Sequence, residues 1–425
     1  MAVQRKPSPQ ETKVENKIDA QVGKTWGRDR DVSFGTILIS LGILVMSPLW
    51  VYNAPDHMEA LKTLLIREVP RFSPHATRIA FGWLLFQAAL YAFLPAKIGY
   101  GQRTPAGHLS PTRKKRVNGL LAWIISHIIF AAGGLYFGWW RLSVIQENWG
   151  GLLLAANMYG YFLTFFCYFK ARVFPSHPAD RKFSGSFIYD LLMGIEFNPR
   201  IGKYFDFKLF HNGRPGIVAW TMIDLSFAAA QYQKIGYVTN SMILLILLHG
   251  TYVLDYFYNE DWYLRTIDIA HDHFGFYLAW GDAVWLPWLY TLQSHYLFRN
   301  PVDLTPVQFA IIFAIGFTGY FIFRSVNHQK DIVRSTNGEC MIWGKPAKVI
   351  RTSFVNLRWK VHNLMMALAM CMTCVPSTSC LILHHLHEYL LLHRIQRDHT
   401  RCKGKYGKYW RVREALPYKL FPYIY

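Results

Sequence analysis

The sequence predicts an all-α, polytopic membrane protein with roughly eight to ten transmembrane helices and no Rossmann domain. Three observations predict it. Of 425 residues, 52% are hydrophobic and 17% charged, against about a quarter charged in an ordinary soluble domain. Apolar runs long enough to cross a bilayer recur along the chain. The formal net charge of +20 is gathered between those runs. So much buriable apolar surface excludes intrinsic disorder, and 6 Cys in 425 residues exclude a disulfide scaffold. A basic nucleic-acid-binding chain would not carry 15 Trp, 25 Tyr and 30 Phe beside so few charges, so no nucleic-acid partner is expected. The mean hydropathy of +0.11 is low for a membrane protein and requires substantial polar loops or termini.

Residues 1–32 are polar, lack the apolar core of a secretory signal and read as a cytosolic tail. The apolar runs that follow are 34–52, 79–94, 119–140, 151–169, 216–231, 242–258, 276–292 and 307–323. A last one, 364–392, is broken by Pro376 and a run of His. Hydrocarbon offers no partner to a backbone amide, so each run is expected to be a helix. Lys97, Arg103, Arg113, Lys114, Lys115 and Arg116 make one basic loop. Arg172, Arg181, Lys182, Arg200, Lys203 and Lys208 make a second, and the tail from Arg394 a third. Basic loops face the cytosol, and the nearly uncharged loop at Gln146 to Asn148 faces the other side. The absence of an internal repeat argues against a transporter.

Ionisable groups inside apolar runs are costly and are functional candidates. Asp224, Asp255, Asp282 and Glu196 are such groups, with helix capping or ion pairing as the structural alternative. The densest cluster is Thr266-Ile267-Asp268-Ile269-Ala270-His271-Asp272-His273-Phe274-Gly275-Phe276-Tyr277. On a helix, Asp268 and Asp272 share a face, as do His273 and Tyr277. The His271-x-His273 spacing does not suit two metal ligands on one helix face, so no metal is expected. A network that tunes a proton donor fits the cluster better. Downstream, Lys330 and Arg334 stand four residues apart, and a helix would align both cations for a phosphate or as a membrane anchor. The stretch from His393 to Trp410 interleaves basic and aromatic residues, which suits anionic lipids or, with Lys330 and Arg334, a multiply charged nucleotide. Cys371 and Cys374 lie in an apolar run without redox context and read as packing; His384, His385 and His387 read as a polar helix face.

Two long strings, Leu191 to Gly202 continuing through Phe205 to Lys208, and Leu392 to Trp410, resemble the membrane sterol reductases, which saturate sterol double bonds at C14, C24(28) or Δ7 with NADPH. The first is Leu191-Leu192-Met193-Gly194-Ile195-Glu196-Phe197-Asn198-Pro199-Arg200-Ile201-Gly202, continuing through Phe205-Asp206-Phe207-Lys208. The second is Leu392-His393-Arg394 with Arg397-Asp398, Arg401-Cys402, Lys405-Tyr406-Gly407 and Trp410. Phe210-His211-Asn212-Gly213-Arg214-Pro215-Gly216 and Asn327-His328-Gln329-Lys330-Asp331 are similar to the Δ7-reducing branch. The resemblance implies that residues 33–425 form one transmembrane reductase domain in the endoplasmic reticulum membrane. It implies a cytosolic NADPH pocket and a sterol substrate entering from the bilayer, among membrane lipids. Association with other sterol-pathway enzymes is a further expectation. Carried over residue by residue, the cofactor contacts are Lys330, Arg334, Asp398, Cys402, Lys403, Gly404, Lys405 and Tyr406. Tyr277, supported by His271 and Asp272, is the expected proton donor, with Glu196 and Asp282 at the substrate pocket.

One stretch departs from the family pattern. Around 351–363 the chain is shorter than its relatives, with Trp359 and His362-Asn363 as remnants of an aromatic and Arg-His segment. Arg413 stands where the family often has Tyr. A catalytically impaired sterol-binding or scaffold protein is therefore the alternative expectation.

Overall fold

The computed structural model describes residues 71–99, 115–202, 205–264, 269, 272–336, 339–342, 344–346 and 359–374. Contacts divide the chain into two compact units: residues up to Val238 with His249–Pro301, and Thr239–Leu248 with residues from Val302 on.

In the first unit, α1 (Pro74–Phe93) starts on Ser73, whose hydroxyl accepts from the Ala76 amide at 3.2 Å, with Pro74 in the first turn. Strands Lys97–Gly99 and Lys115–Val117 pair antiparallel and return the chain to α2 (Gly119–Leu135). Asn118 ties the two helices by donating to the Tyr91 carbonyl at 3.3 Å. The short α3 (Val144–Glu147) leads into α4 (Trp149–Val173), and α5 (Phe187–Met193) follows a 3-10 turn at Pro178–Asp180. A two-residue ladder pairs Arg200–Ile201 with Phe205–Asp206 and feeds α6 (Phe207–Gly213), capped by the Asp206 carboxylate, which accepts from the Leu209 amide at 3.0 Å. Then α7 (Pro215–Ile235) runs buried on nearly every side and stops at Gly236, whose φ of +84° ends it in a left-handed cap.

The helix α8 (Asn240–Tyr258) gives its first half to the second unit and its second half to the first. After α9 (Glu260–Tyr263) come α10 (Phe276–Trp280), a π turn at Gly281–Trp285, α11 (Leu286–Leu289) and α12 (Leu292–Arg299). The run 276–292 is therefore not the single helix expected from its apolarity. Pro287 has no amide to give the Ala283 carbonyl, and the backbone relaxes into an i→i+5 turn where Leu286 donates to Gly281. The cluster from 266 to 277 also differs from the helical expectation. Of its described residues, 272–275 are not helical, while Phe276 and Tyr277 open the next helix, and the Phe274 amide donates to the Glu196 carbonyl at 3.0 Å.

In the second unit, α13 (Pro306–Ser335) opens on a capping box between Thr305 and Gln308 and packs along α14 (Trp359–Met372). A Cβ on Gly319 would meet Met365 Cβ at 3.0 Å, so a small residue allows that approach. Asn240 closes the start of α8 by exchanging two bonds with Leu304, at 2.7 and 2.8 Å.

Among the described residues, Pro74–Phe93, Trp149–Val173, Asn240–Tyr258 and Pro306–Val333 are long and apolar enough to span a bilayer, with Gly119–Leu135 shorter. Expected runs 34–52 and the latter part of 364–392 lie outside the described residues.

Candidate functional site

The first unit concentrates charge where its chain is least regular. Glu196 is buried between α5 and the short ladder, and Lys170, in the last turn of α4, donates to its Oε2 at 2.9 Å. The Ser176 amide donates to Oε1 at 2.6 Å, and Lys170 also donates to Ser176 Oγ at 2.8 Å. One side of the Glu196 backbone bridges to Arg181, and its carbonyl accepts from Phe274. The carboxylate is thus held by charge-assisted bonds on both oxygens.

Two glycines fix this crossing. A Cβ on Gly275 would collide with the Gly194 amide nitrogen, and Gly194 itself adopts a φ of +86°. The close passage brings Asp272 and His273 against α6. There Lys208, fully buried, donates to the Asp272 carbonyl at 2.7 Å and lies 4.1 Å from the centre of the Phe197 ring. Burial, with Lys208 and Lys182 adding to it, holds the His273 imidazole well below its ordinary range, so the ring is neutral. Arg200 donates to Asp206 Oδ2 at 2.6 Å, which fixes the ladder to the start of α6.

A second pair lies one turn farther along α6. His211 Nδ1 is 2.7 Å from the Phe207 carbonyl, an acceptor, so Nδ1 carries the proton. Tyr159 Oη lies 2.6 Å from His211 Nε2 and must therefore donate to it. Burial, the main cause, lowers the His211 pKa to about 4.

Farther along, Arg214 is fully buried and donates to Glu260 Oε1 at 2.7 Å and to Asn118 at 2.9 Å, while Glu260 Oε2 accepts the Gly119 amide at 2.7 Å. Asp224, one of the expected membrane carboxylates, is fully buried; Ser294 donates to it at 2.6 Å and His249 Nδ1 lies 2.9 Å away. Asp255 is buried beside Asn259, which donates to Oδ1 at 3.3 Å.

The expected site residues fall as follows. Tyr277 sits in the first turn of α10, 48% exposed. Asp272 and His273 precede that helix, so His273 does not share a helix face with Tyr277, and His271 lies outside the described residues. Asp282 is buried in the π turn, where its carbonyl packs on Gly216. Lys330 and Arg334 occupy positions one turn apart on α13, as the helical continuation required. Asp398, Cys402, Lys403, Gly404, Lys405 and Tyr406 lie outside the described residues. Sequence reasoning missed Lys170 as the partner of Glu196, and the Tyr159–His211 pair. The only sequence signal for the first was a lysine at the end of an apolar helix.

Apolar helices long enough to span a bilayer, with buried ion pairs in the first unit, define a multi-pass membrane protein. The chain belongs to the ergosterol biosynthesis ERG4/ERG24 family, whose model matches residues 54–425. It is similar to the 7-dehydrocholesterol reductase of Xenopus laevis, 42% identical over 463 aligned residues that cover 97% of each chain. The 7-dehydrocholesterol reductase of Danio rerio is 45% identical over 84% of this chain and 81% of its own. A Delta(14)-sterol reductase of Methylotuvimicrobium alcaliphilum is 35% identical over 83% of both chains. The protein is accordingly a membrane sterol reductase, an oxidoreductase of a family that uses a nicotinamide cofactor.

Proposed function

We propose that this reductase saturates the Δ7 ring double bond of 7-dehydrocholesterol to give cholesterol, with NADPH, in the endoplasmic reticulum membrane. The observation that carries the reading is the 42% identity, across 97% of both chains, with a relative named for that reaction. The donor set suits the cofactor: paired cationic positions, Lys330 and Arg334, one helical turn apart on α13 are the chemistry that phosphates require. With Asp398, Cys402, Lys403, Gly404, Lys405 and Tyr406 they would hold NADPH, which supplies the hydride.

A ring alkene resists hydride until a proton develops positive charge on the opposite carbon. In this reading the Tyr277 hydroxyl donates that proton, and His271 and Asp272 orient and reprotonate it. The half-exposed Tyr277 ring supports the role, because a sterol arriving from the bilayer reaches it directly and excludes solvent as it covers it. Glu196, through Lys170, and Asp282, in the π turn, shape the pocket wall. Incubation of purified protein with 7-dehydrocholesterol and NADPH tests the reading: the conjugated-diene absorbance falls if it holds and persists if it does not.

A second reading has a specific observation behind it. The alignment to the Xenopus laevis relative spans 463 residues, longer than this chain of 425, so the relative has residues that this chain lacks. A shortened 351–363 stretch that cost cofactor contacts would leave a sterol-binding or scaffold protein. Calorimetric titration with NADPH separates the two: tight binding contradicts the scaffold reading, and no binding favours it.

A further inference from the structure

We propose that the C-terminal end of α4 and the segment through α5 form a binding site for an anionic phospholipid of the cytosolic leaflet. The outer surface of α4 is lipid-facing along a bilayer span, and Phe169 and Val173 continue that exposed apolar surface to the helix end. The chain then stays at the same level: Phe174, Phe183, Phe187 and Ile188 are each about half exposed. In α5 those exposed apolar residues oppose buried Tyr189 and Asp190, the pattern of a short helix lying in a membrane interface. The surface is continuous, because the Phe187 ring meets the Tyr168 ring of α4 edge to face at 5.2 Å.

Two guanidinium groups stand within this apolar surface. Arg172 lies 4.7 Å from the Tyr168 ring centre and 5.3 Å from that of Phe183; Arg181 lies 5.7 Å from the same Phe183 ring. Arg172 is half exposed, and its one ion pair among the described residues, to Asp190, is long at 4.0 Å. Arg181 spends its Nε and Nη1 on carbonyls at 3.3 Å. Both side chains are thus anchored at the level where a span leaves the membrane. A planar fork pairs a phosphodiester in two-point fashion, and the exposed phenyl rings beside it suit acyl chains. The basic loops mark this side as cytosolic, and that leaflet carries the anionic lipids. A soluble acidic protein would match the charges but not the rings embedded around them.

The test is lipid retention by the full chain purified into nanodiscs of phosphatidylcholine with phosphatidylserine, read by native mass spectrometry. Phosphatidylserine should be retained in preference to phosphatidylcholine. Each guanidinium is expected to contribute roughly a fivefold factor in affinity, so the Arg172→Gln/Arg181→Gln double variant should lose tenfold or more. Phe183→Ser/Phe187→Ser should lose retention as well, and Arg172→Lys/Arg181→Lys should keep part of it. Equal retention of the two lipids, an unchanged double variant, or displacement by soluble glycerophosphoserine would overturn the proposal.

Discussion

Among the described residues of the first unit, Glu196, Asp206 and Glu260 each have a buried cationic partner, and that makes its removal measurable. Replacing Lys170 by Met leaves buried Glu196 short of its main donor, which costs about 3–5 kcal/mol. The thermal midpoint should drop accordingly, and a Lys170→Met/Glu196→Leu double variant should recover much of the loss. His211 gives a pH prediction. Its pKa is about 4 in the fold, against about 6.5 in an unfolded chain. Between those values the unfolded state binds the extra proton, so stability is full above pH ~6.5 and falls as pH is lowered through the window. The loss reaches roughly 3 kcal/mol by pH ~4, and His211→Gln should remove that share from a pH series of unfolding midpoints. Tyr277→Phe should lower turnover by about a hundredfold or more, the usual worth of a positioned acid, and leave the KM for NADPH unchanged. Glu196 was legible as a candidate from its apolar surroundings, but its partner was not: Lys170 is remote in sequence, and only folding closes that distance. The same holds for Tyr159 and His211.

Elements were legible where one physical signal dominated. Long apolar runs gave α1, α4 and α8 close to their observed bounds, because a span is fixed by length and hydropathy, whereas α13 continues past the expected end at Phe323 to Ser335. The failures came where a backbone rule overrode periodicity. Pro287 turns an apolar run into α10, a π turn and α11. The 266–277 cluster has helical spacing in its polar residues, yet at Gly275 and Gly194 two chain segments pass in contact and 272–275 are not helical. Gly275→Ala should therefore destroy the crossing, since the added carbon meets backbone rather than a movable side chain. Fluorescence-detected size exclusion should show loss of the monodisperse species, while Gly250→Ala, with open space around it, should leave that species intact.

At the scale of the whole molecule, the charge excess of +20 divides by role. Buried Lys170, Arg200, Lys208 and Arg214 hold the interior of the first unit, Arg172 and Arg181 are proposed to meet lipid phosphates, and Lys330 and Arg334 are proposed to hold the cofactor. Lys330→Gln should raise the KM for NADPH by tenfold or more, as loss of a charged bond to phosphate does, without moving the thermal midpoint. Fold class and family were legible because span patterning and long motifs survive in a single sequence. The catalytic geometry was not, because it depends on how irregular segments cross. The most direct test of the central claim is turnover of 7-dehydrocholesterol by the purified chain with NADPH, followed by diene absorbance and sterol analysis. Loss of the diene with stoichiometric NADPH oxidation and appearance of cholesterol is the result predicted; a persistent diene beside bound NADPH would contradict it.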